Sequence, residues 1–156
     1  IAVVMGSKSD LPKLESGIDL IKSYGIEVVV RILSAHRTPM ELTSFLDEIK
    51  DNTDVIIAAA GKAAHLPGVI AAQTLIPVVG LPIKSSTMDG LDSLLSIVQM
   101  PSGIPVATVT IDSGMNAALM AIQIASVKYP VLREKLAGYR KEMEEKVLAD
   151  DASVEF

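Results

Sequence analysis

The chain has 156 residues, which fits a single domain. It is 49% apolar and 3% aromatic with no Trp and no Cys, so Ala, Val, Ile and Leu must build the core. Disulfides, thiolate catalysis and cysteine zinc sites are thereby excluded, and an intracellular, cytoplasmic setting is expected. A net charge of −5 argues against a broad nucleic-acid surface, and no apolar run approaches a membrane span. No signal-peptide pattern opens the sequence, and its first residue is Ile, so the native chain is expected to begin earlier.

Ile1-Ala2-Val3-Val4-Met5 is a short apolar run of the kind found in a central parallel strand. Gly6-Ser7-Lys8-Ser9-Asp10 follows, with a glycine for a tight turn and hydroxyls at a helix start. That loop can cradle a phosphate, or hold sugar hydroxyls through Asp10. It carries neither a Walker pattern nor a dinucleotide fingerprint. Plain helix capping by Ser9 or Asp10, with Pro12 just inside, explains part of it. A helix then runs from Leu11 to about Tyr24, with Leu14, Ile18 and Ile21 on one face and Gly25 as its stop.

Residues 26–33 read as a second, buried strand. It ends in Ser34-Ala35-His36-Arg37-Thr38-Pro39, which packs a hydroxyl, an imidazole and a guanidinium into one strand-to-helix loop. Thr38 is the expected N-cap and Pro39 the first helical residue. In an open α/β sheet, ligands bind outside the carboxyl ends of strands. Arg37 offers a fixed positive fork to an anion, and His36 can exchange a proton near neutral pH. A helix follows to about Lys50, with Leu42, Phe45, Leu46 and Ile49 facing the core.

Residues 54–60 form the third strand, followed by Gly61-Lys62-Ala63-Ala64-His65-Leu66-Pro67-Gly68. The chain's two histidines, His36 and His65, thus follow strands two and three, which should be neighbours or near neighbours. That coincidence predicts a shared pocket. Lys62 either brings positive charge into it or points to solvent. Residues 69–75 read as a short helix, 76–82 as a fourth strand and 84–90 as a polar loop. A helix over 91–100, a fifth strand over 104–111, an Ala-rich helix over 116–128 and a last helix from Pro130 to about Leu148 complete the chain. Residues 1–149 are thus one domain, and 150–156 a loose tail. Five apolar strands alternating with helices predict a doubly wound parallel sheet. The apolar surplus, with Ala117, Ala118, Ala121 and Ala125 permitting close helix contacts, predicts a homo-oligomer.

Four segments in register resemble the 5-(carboxyamino)imidazole ribonucleotide mutase family, also described as the catalytic subunit of phosphoribosylaminoimidazole carboxylase. They are Gly6 to Asp10, Ser34 to Pro39, Ala63 to Gly68, and Asp92-Ser93-Leu94-Leu95-Ser96-Ile97-Val98-Gln99-Met100-Pro101. The resemblance runs from Ile1 to about Arg140. It implies a flavodoxin-like three-layer αβα sandwich with a five-stranded parallel sheet. It also implies a purine-synthesis enzyme that moves a carboxylate from the exocyclic nitrogen of an aminoimidazole ribonucleotide to ring carbon C4. No metal or organic cofactor is implied. The implied partners are the small ribonucleotide and further copies of the chain in an octamer, with neither nucleic acid nor membrane.

By that resemblance Ser7, Asp10 and Arg37 contact the ribonucleotide, with Arg37 and a serine on the phosphate and Asp10 on the ribose, and His36 is the general acid/base. His65 and its neighbours match the loop that closes over the base. The implied substrate-binding set is Gly6, Ser7, Ser9, Asp10, Ser34, Ala35, Arg37, Gly61, Lys62, Ala63, Ala64 and Leu66, with His36 and His65 catalytic. The chain departs from the family at three places. Lys62 stands where many mutases have Gly, and related carboxylases that use free CO2 have Arg-Ser-Asn at and after that point without the following His. Lys84 replaces an expected Gln. Asp112-Ser113-Gly114-Met115 replaces Gly-Lys-Ala-Gly. Ala-Ala-His-Leu-Pro-Gly is intact and favours the mutase, while the cation at 62 keeps direct carboxylation with free CO2 as the second reading. A flavin electron carrier would want stacking aromatics, and a receiver module would want an Asp where Gly61 and Lys62 stand. A relative that only binds is separated by activity alone.

Overall fold

The computed structural model describes residues 1–155, and Phe156 lies outside them. Five parallel strands form one sheet in the order β2-β1-β3-β4-β5. They are β1 (Ala2–Met5), β2 (Val29–Ile32), β3 (Ile56–Gly61), β4 (Val78–Ile83) and β5 (Ala107–Thr108). The helices are α1 (Leu11–Ser23), α2 (Pro39–Ile49), α3 (Leu66–Ala71), α4 (Leu91–Val98), α5 (Gly114–Ala125) and α6 (Val131–Ala152). Side chains alternate along each strand, so successive residues feed two cores. Val3, Met5, Ile57, Ala59, Val79 and Leu81 pack with α1, α5 and Leu132 and Leu136 of α6. Ala2, Val4, Ile56, Ala58 and Val78 pack with Leu42, Phe45 and Leu46 of α2, Ile70 of α3 and Ile97 of α4. Three layers result, as predicted.

Parallel pairing puts every strand's carboxyl end on one side of the sheet. β1 pairs with both β2 and β3, through Met5↔Ile32 and Met5↔Ala59 at the carboxyl ends. The chain's direction of winding therefore changes between β1 and β3, and a crevice opens there. His36 and His65 leave strands that are separated by β1 alone, in accord with the near-neighbour expectation.

Several local expectations are corrected. β2 is not buried. All four of its residues are exposed, because it is the edge strand and the flanking helices leave it uncovered. β5 is two residues long instead of eight. Pro105 cannot donate to a ladder, although Val109 N–H to the Gly80 carbonyl (3.1 Å) and Asp112 N–H to the Pro82 carbonyl (2.9 Å) keep the chain beside β4. α3 starts at Leu66 rather than Val69, since Pro67 presets its first turn. α6 continues to Ala152, past the expected end at 148. It is exposed from Arg140 onward. Among the described residues no helix is long and apolar enough to cross a membrane.

Candidate active site

Four strand ends build one cleft of about 570 Å³. At the end of β1, Ser7 takes an extended conformation and its hydroxyl accepts the Ser9 N–H at 3.3 Å. A single 3-10 turn, Lys8–Asp10, then leads into α1. The Ser9 hydroxyl lies 2.8 Å from Ser7 Oγ and 3.2 Å from Asp10 Oδ1. Asp10 makes no side-chain cap to α1. Its residue is 9% exposed, and burial pushes its carboxyl pKa up against the pull of the Ser9 hydroxyl.

At the end of β2, Thr38 does not cap α2 with its side chain. Its hydroxyl turns back on Ser34 instead, accepting the Ser34 N–H at 2.9 Å and donating to the Ser34 carbonyl at 3.2 Å. This closes the loop that presents Ala35, His36 and Arg37. Arg37 Nη2 donates to the Gly6 carbonyl at 2.7 Å, and its Nε and backbone N–H both approach Ser34 Oγ at 3.3 Å. The guanidinium is thus pinned across the ends of β1 and β2, and it lines the same cleft as Ser7 and Ser9.

At the end of β3, the Ala64 N–H donates to the Gly61 carbonyl at 3.1 Å, forming a tight turn. Lys62 (φ 56°) and Ala64 (φ 36°) occupy the left-handed region. Two non-glycine residues held there mark local strain of the kind that clusters at functional sites. A Cβ on Gly61 would stand 3.2 Å from the Ile83 carbonyl of β4, which explains the glycine. The turn delivers His65 to His36. His36 Nε2 lies 2.7 Å from His65 Nδ1, with the rings edge to face at 76°. At that distance one nitrogen donates and the other accepts, so one proton is held between the rings. Both histidines and Arg37 are exposed in the single chain.

Every residue singled out from the sequence lines this cleft: Gly6, Ser7, Ser9 and Asp10 from the first loop, Ser34, Ala35, His36 and Arg37 from the second, and Gly61 through Leu66 from the third. The sequence reading assigned no role to a fourth contribution, from Ile83, Lys84, Ser85 and Ser86 after β4. Its signal was a polar loop at the carboxyl end of a strand, the same signal that marked the other three. Among the described residues no cluster of three His, Asp or Glu is placed to hold a metal ion.

A 2-1-3-4-5 parallel sheet with an arginine and a histidine pair in the crevice at its switch point defines a flavodoxin-like α/β fold. The model of the AIR carboxylase family matches residues 1–146, and the chain belongs to that family. It is 51% identical over 148 residues to the N5-carboxyaminoimidazole ribonucleotide mutase of Pyrococcus horikoshii, covering 94% of this chain and 84% of that one. To the mutase of Saccharolobus solfataricus it is 48% identical over 150 residues, covering 96% and 95%. The crystal structure of Treponema denticola PurE superimposes with a TM-score of 0.91 at 30% identity, covering 99% of this chain and 98% of that one.

Proposed function

We propose that this cleft converts 5-carboxyaminoimidazole ribonucleotide to 4-carboxy-5-aminoimidazole ribonucleotide in purine biosynthesis, an isomerisation. The names of the related mutases and the family match support the reaction class. The observation that carries the chemistry is the His36–His65 contact at 2.7 Å in the same cleft as the Arg37 guanidinium.

The proton count suits a histidine. Breaking the N–CO2⁻ bond releases CO2 and leaves its electron pair on nitrogen, which takes one proton from His36. C4 then attacks the trapped CO2, forming the C–C bond. The C4 proton returns to the now neutral His36, and the ring regains its aromaticity. One proton is given and one recovered, so a single acid/base closes the cycle. His65 holds the His36 ring and shares its proton. Arg37 and Ser7 hold the phosphate and Asp10 the ribose hydroxyls, fixing C4 against the released CO2. The Gly61–Leu66 turn lines the small space where CO2 waits.

Such trapping calls for a closed site, and in one chain the histidines face solvent. The reading therefore carries with it a cytoplasmic homo-octamer whose neighbouring copies cover the cleft. The exposed edge strand β2 and the exposed apolar residues Leu91, Leu95 and Val98 of α4 support burial against further copies.

The substitution His36→Asn tests the assignment. Turnover should fall by about 10³-fold, while the ribonucleotide binds within a few-fold of wild type. Near-normal turnover in His36→Asn would sink the proposal. A second reading, direct carboxylation of aminoimidazole ribonucleotide by free CO2, is favoured by Lys62, a cation that lines the cleft.

A further inference from the structure

We infer that Lys84 is a second anion-recognition residue of the cleft, taking the carboxylate at the base end of the ribonucleotide while Arg37 serves the phosphate end. The inference rests on the ribonucleotide reading above. Lys84 is the first residue past β4 and lines the cleft. Its backbone is held firmly. The Lys84 N–H donates to Asp112 Oδ1 at 2.8 Å, and Asp112 Oδ2 pairs with Lys13 Nζ at 2.9 Å. Burial pushes the Asp112 carboxyl up, but the Lys84 N–H and Lys13 outweigh it and hold the carboxyl below its usual range, so the anchor stays ionised.

The rest of the 84–90 loop is clamped as well. The Ser93 hydroxyl, fully buried, sits 2.9 Å from the Ile83 carbonyl and 2.8 Å from the Gly90 carbonyl, fastening both ends of the loop to α4. The Ser85 hydroxyl donates to Asp92 Oδ2 at 2.9 Å.

The Lys84 side chain is bound far more weakly. Its ammonium pairs with Asp89 at 3.0 Å, with the two side chains 54% and 86% exposed. An exposed pair of this kind contributes little in water, so an incoming anion can take the place of Asp89 at small cost. A fixed backbone with an exchangeable head suits a group that meets its ligand on arrival.

Position selects the carboxylate over the phosphate. Arg37 reaches the Gly6 carbonyl at the end of β1, whereas Lys84 leaves β4, and β3 lies between them. Two strand spacings amount to about 10 Å. His65 follows β3, so across the sheet the order is the Arg37 head at β1, His65 at β3 and Lys84 at β4. A carboxylated ribonucleotide has the same order: phosphate, reacting base, carboxylate. With a net charge of −5 the chain as a whole repels anions, and local cations must select them.

Equilibrium binding of two ligands tests this. Titration calorimetry would compare aminoimidazole ribonucleotide with its 4-carboxylated counterpart on wild type, Lys84→Gln, Lys84→Arg and Lys62→Gln. Lys84→Gln should weaken the carboxylated ligand about tenfold and leave the decarboxylated one unchanged. Lys84→Arg should restore most of the loss. Equal weakening of both ligands, no change in either, or a selective loss confined to Lys62→Gln overturns the assignment. Wild-type protein that binds neither ligand overturns the ribonucleotide reading itself, and this inference with it.

Discussion

Asp10 combines two demands that oppose each other. In the proposed reading its carboxylate accepts ribose hydroxyls, yet burial raises its pKa above the ordinary value of 3.8. A raised carboxyl in the fold contributes stability at low pH, where it is protonated, and loses that contribution as pH rises through the raised value. At neutral pH the ligand-free protein therefore holds a desolvated charge at a cost. Asp10→Asn should raise the melting temperature at pH 7, and the gain should shrink towards pH 4. Ribonucleotide affinity should fall in the same variant, the trade-off expected where a site is strained for function. Thermal melts at the two pH values check this, and a destabilised variant at pH 7 would contradict it. At this scale the sequence was informative because His36 and His65 are the chain's two histidines and both follow strands. Side-chain direction was less legible. Thr38 read as a cap, but its hydroxyl serves Ser34, since a threonine beside a turn can bond either backbone.

Helices α1 and α5 meet at glycines. A Cβ on Gly17 would collide with the Gly114 carbonyl, and one on Gly114 with the Lys13 carbonyl. Backbone faces backbone there, so neither can yield. Gly114→Ala should cost about 3 kcal/mol, lowering the melting temperature by roughly 6–12 °C. Gly138 in α6 makes a control, because a Cβ there meets nothing within 4 Å and Ala is the better helix former. Gly138→Ala should leave the melting temperature unchanged or slightly raised. Similar losses at 114 and 138 would contradict the packing account. Because α1 begins directly after Asp10 and Lys13 anchors Asp112, this contact also braces the cleft from behind. The order of elements was readable from apolar runs and breakers. The state of the edge strands was not. β2 is apolar at three of its four positions, and such a run looks the same whether helices or another chain cover it. β5 shortens because Pro105 and the turn before it delay its pairing, a geometric effect that hydropathy does not register.

Across the whole molecule, exposed apolar side chains include Val29, Val30 and Ile32 of β2, Leu91, Leu95 and Val98 of α4, and Val131, Met143, Val147 and Leu148 of α6. Apolar exposure of that kind favours assembly, and the proposed octamer accounts for it. Light scattering at micromolar concentration should give about eight times the chain mass of 16.5 kDa, and a monomer would contradict it. The flavodoxin-like architecture was accessible from the alternation of strands and helices together with the resemblance. The shape of the cleft was not, since it depends on which four strand ends the 2-1-3-4-5 order brings together. The reaction proposed for this cleft moves a carboxylate from nitrogen to C4. A product assay with two donors tests it most directly, following formation of the C4-carboxylated ribonucleotide. Rapid turnover of 5-carboxyaminoimidazole ribonucleotide, with little product from aminoimidazole ribonucleotide and bicarbonate, is the predicted result. Efficient turnover of the second pair at modest bicarbonate, or of neither donor, would contradict it.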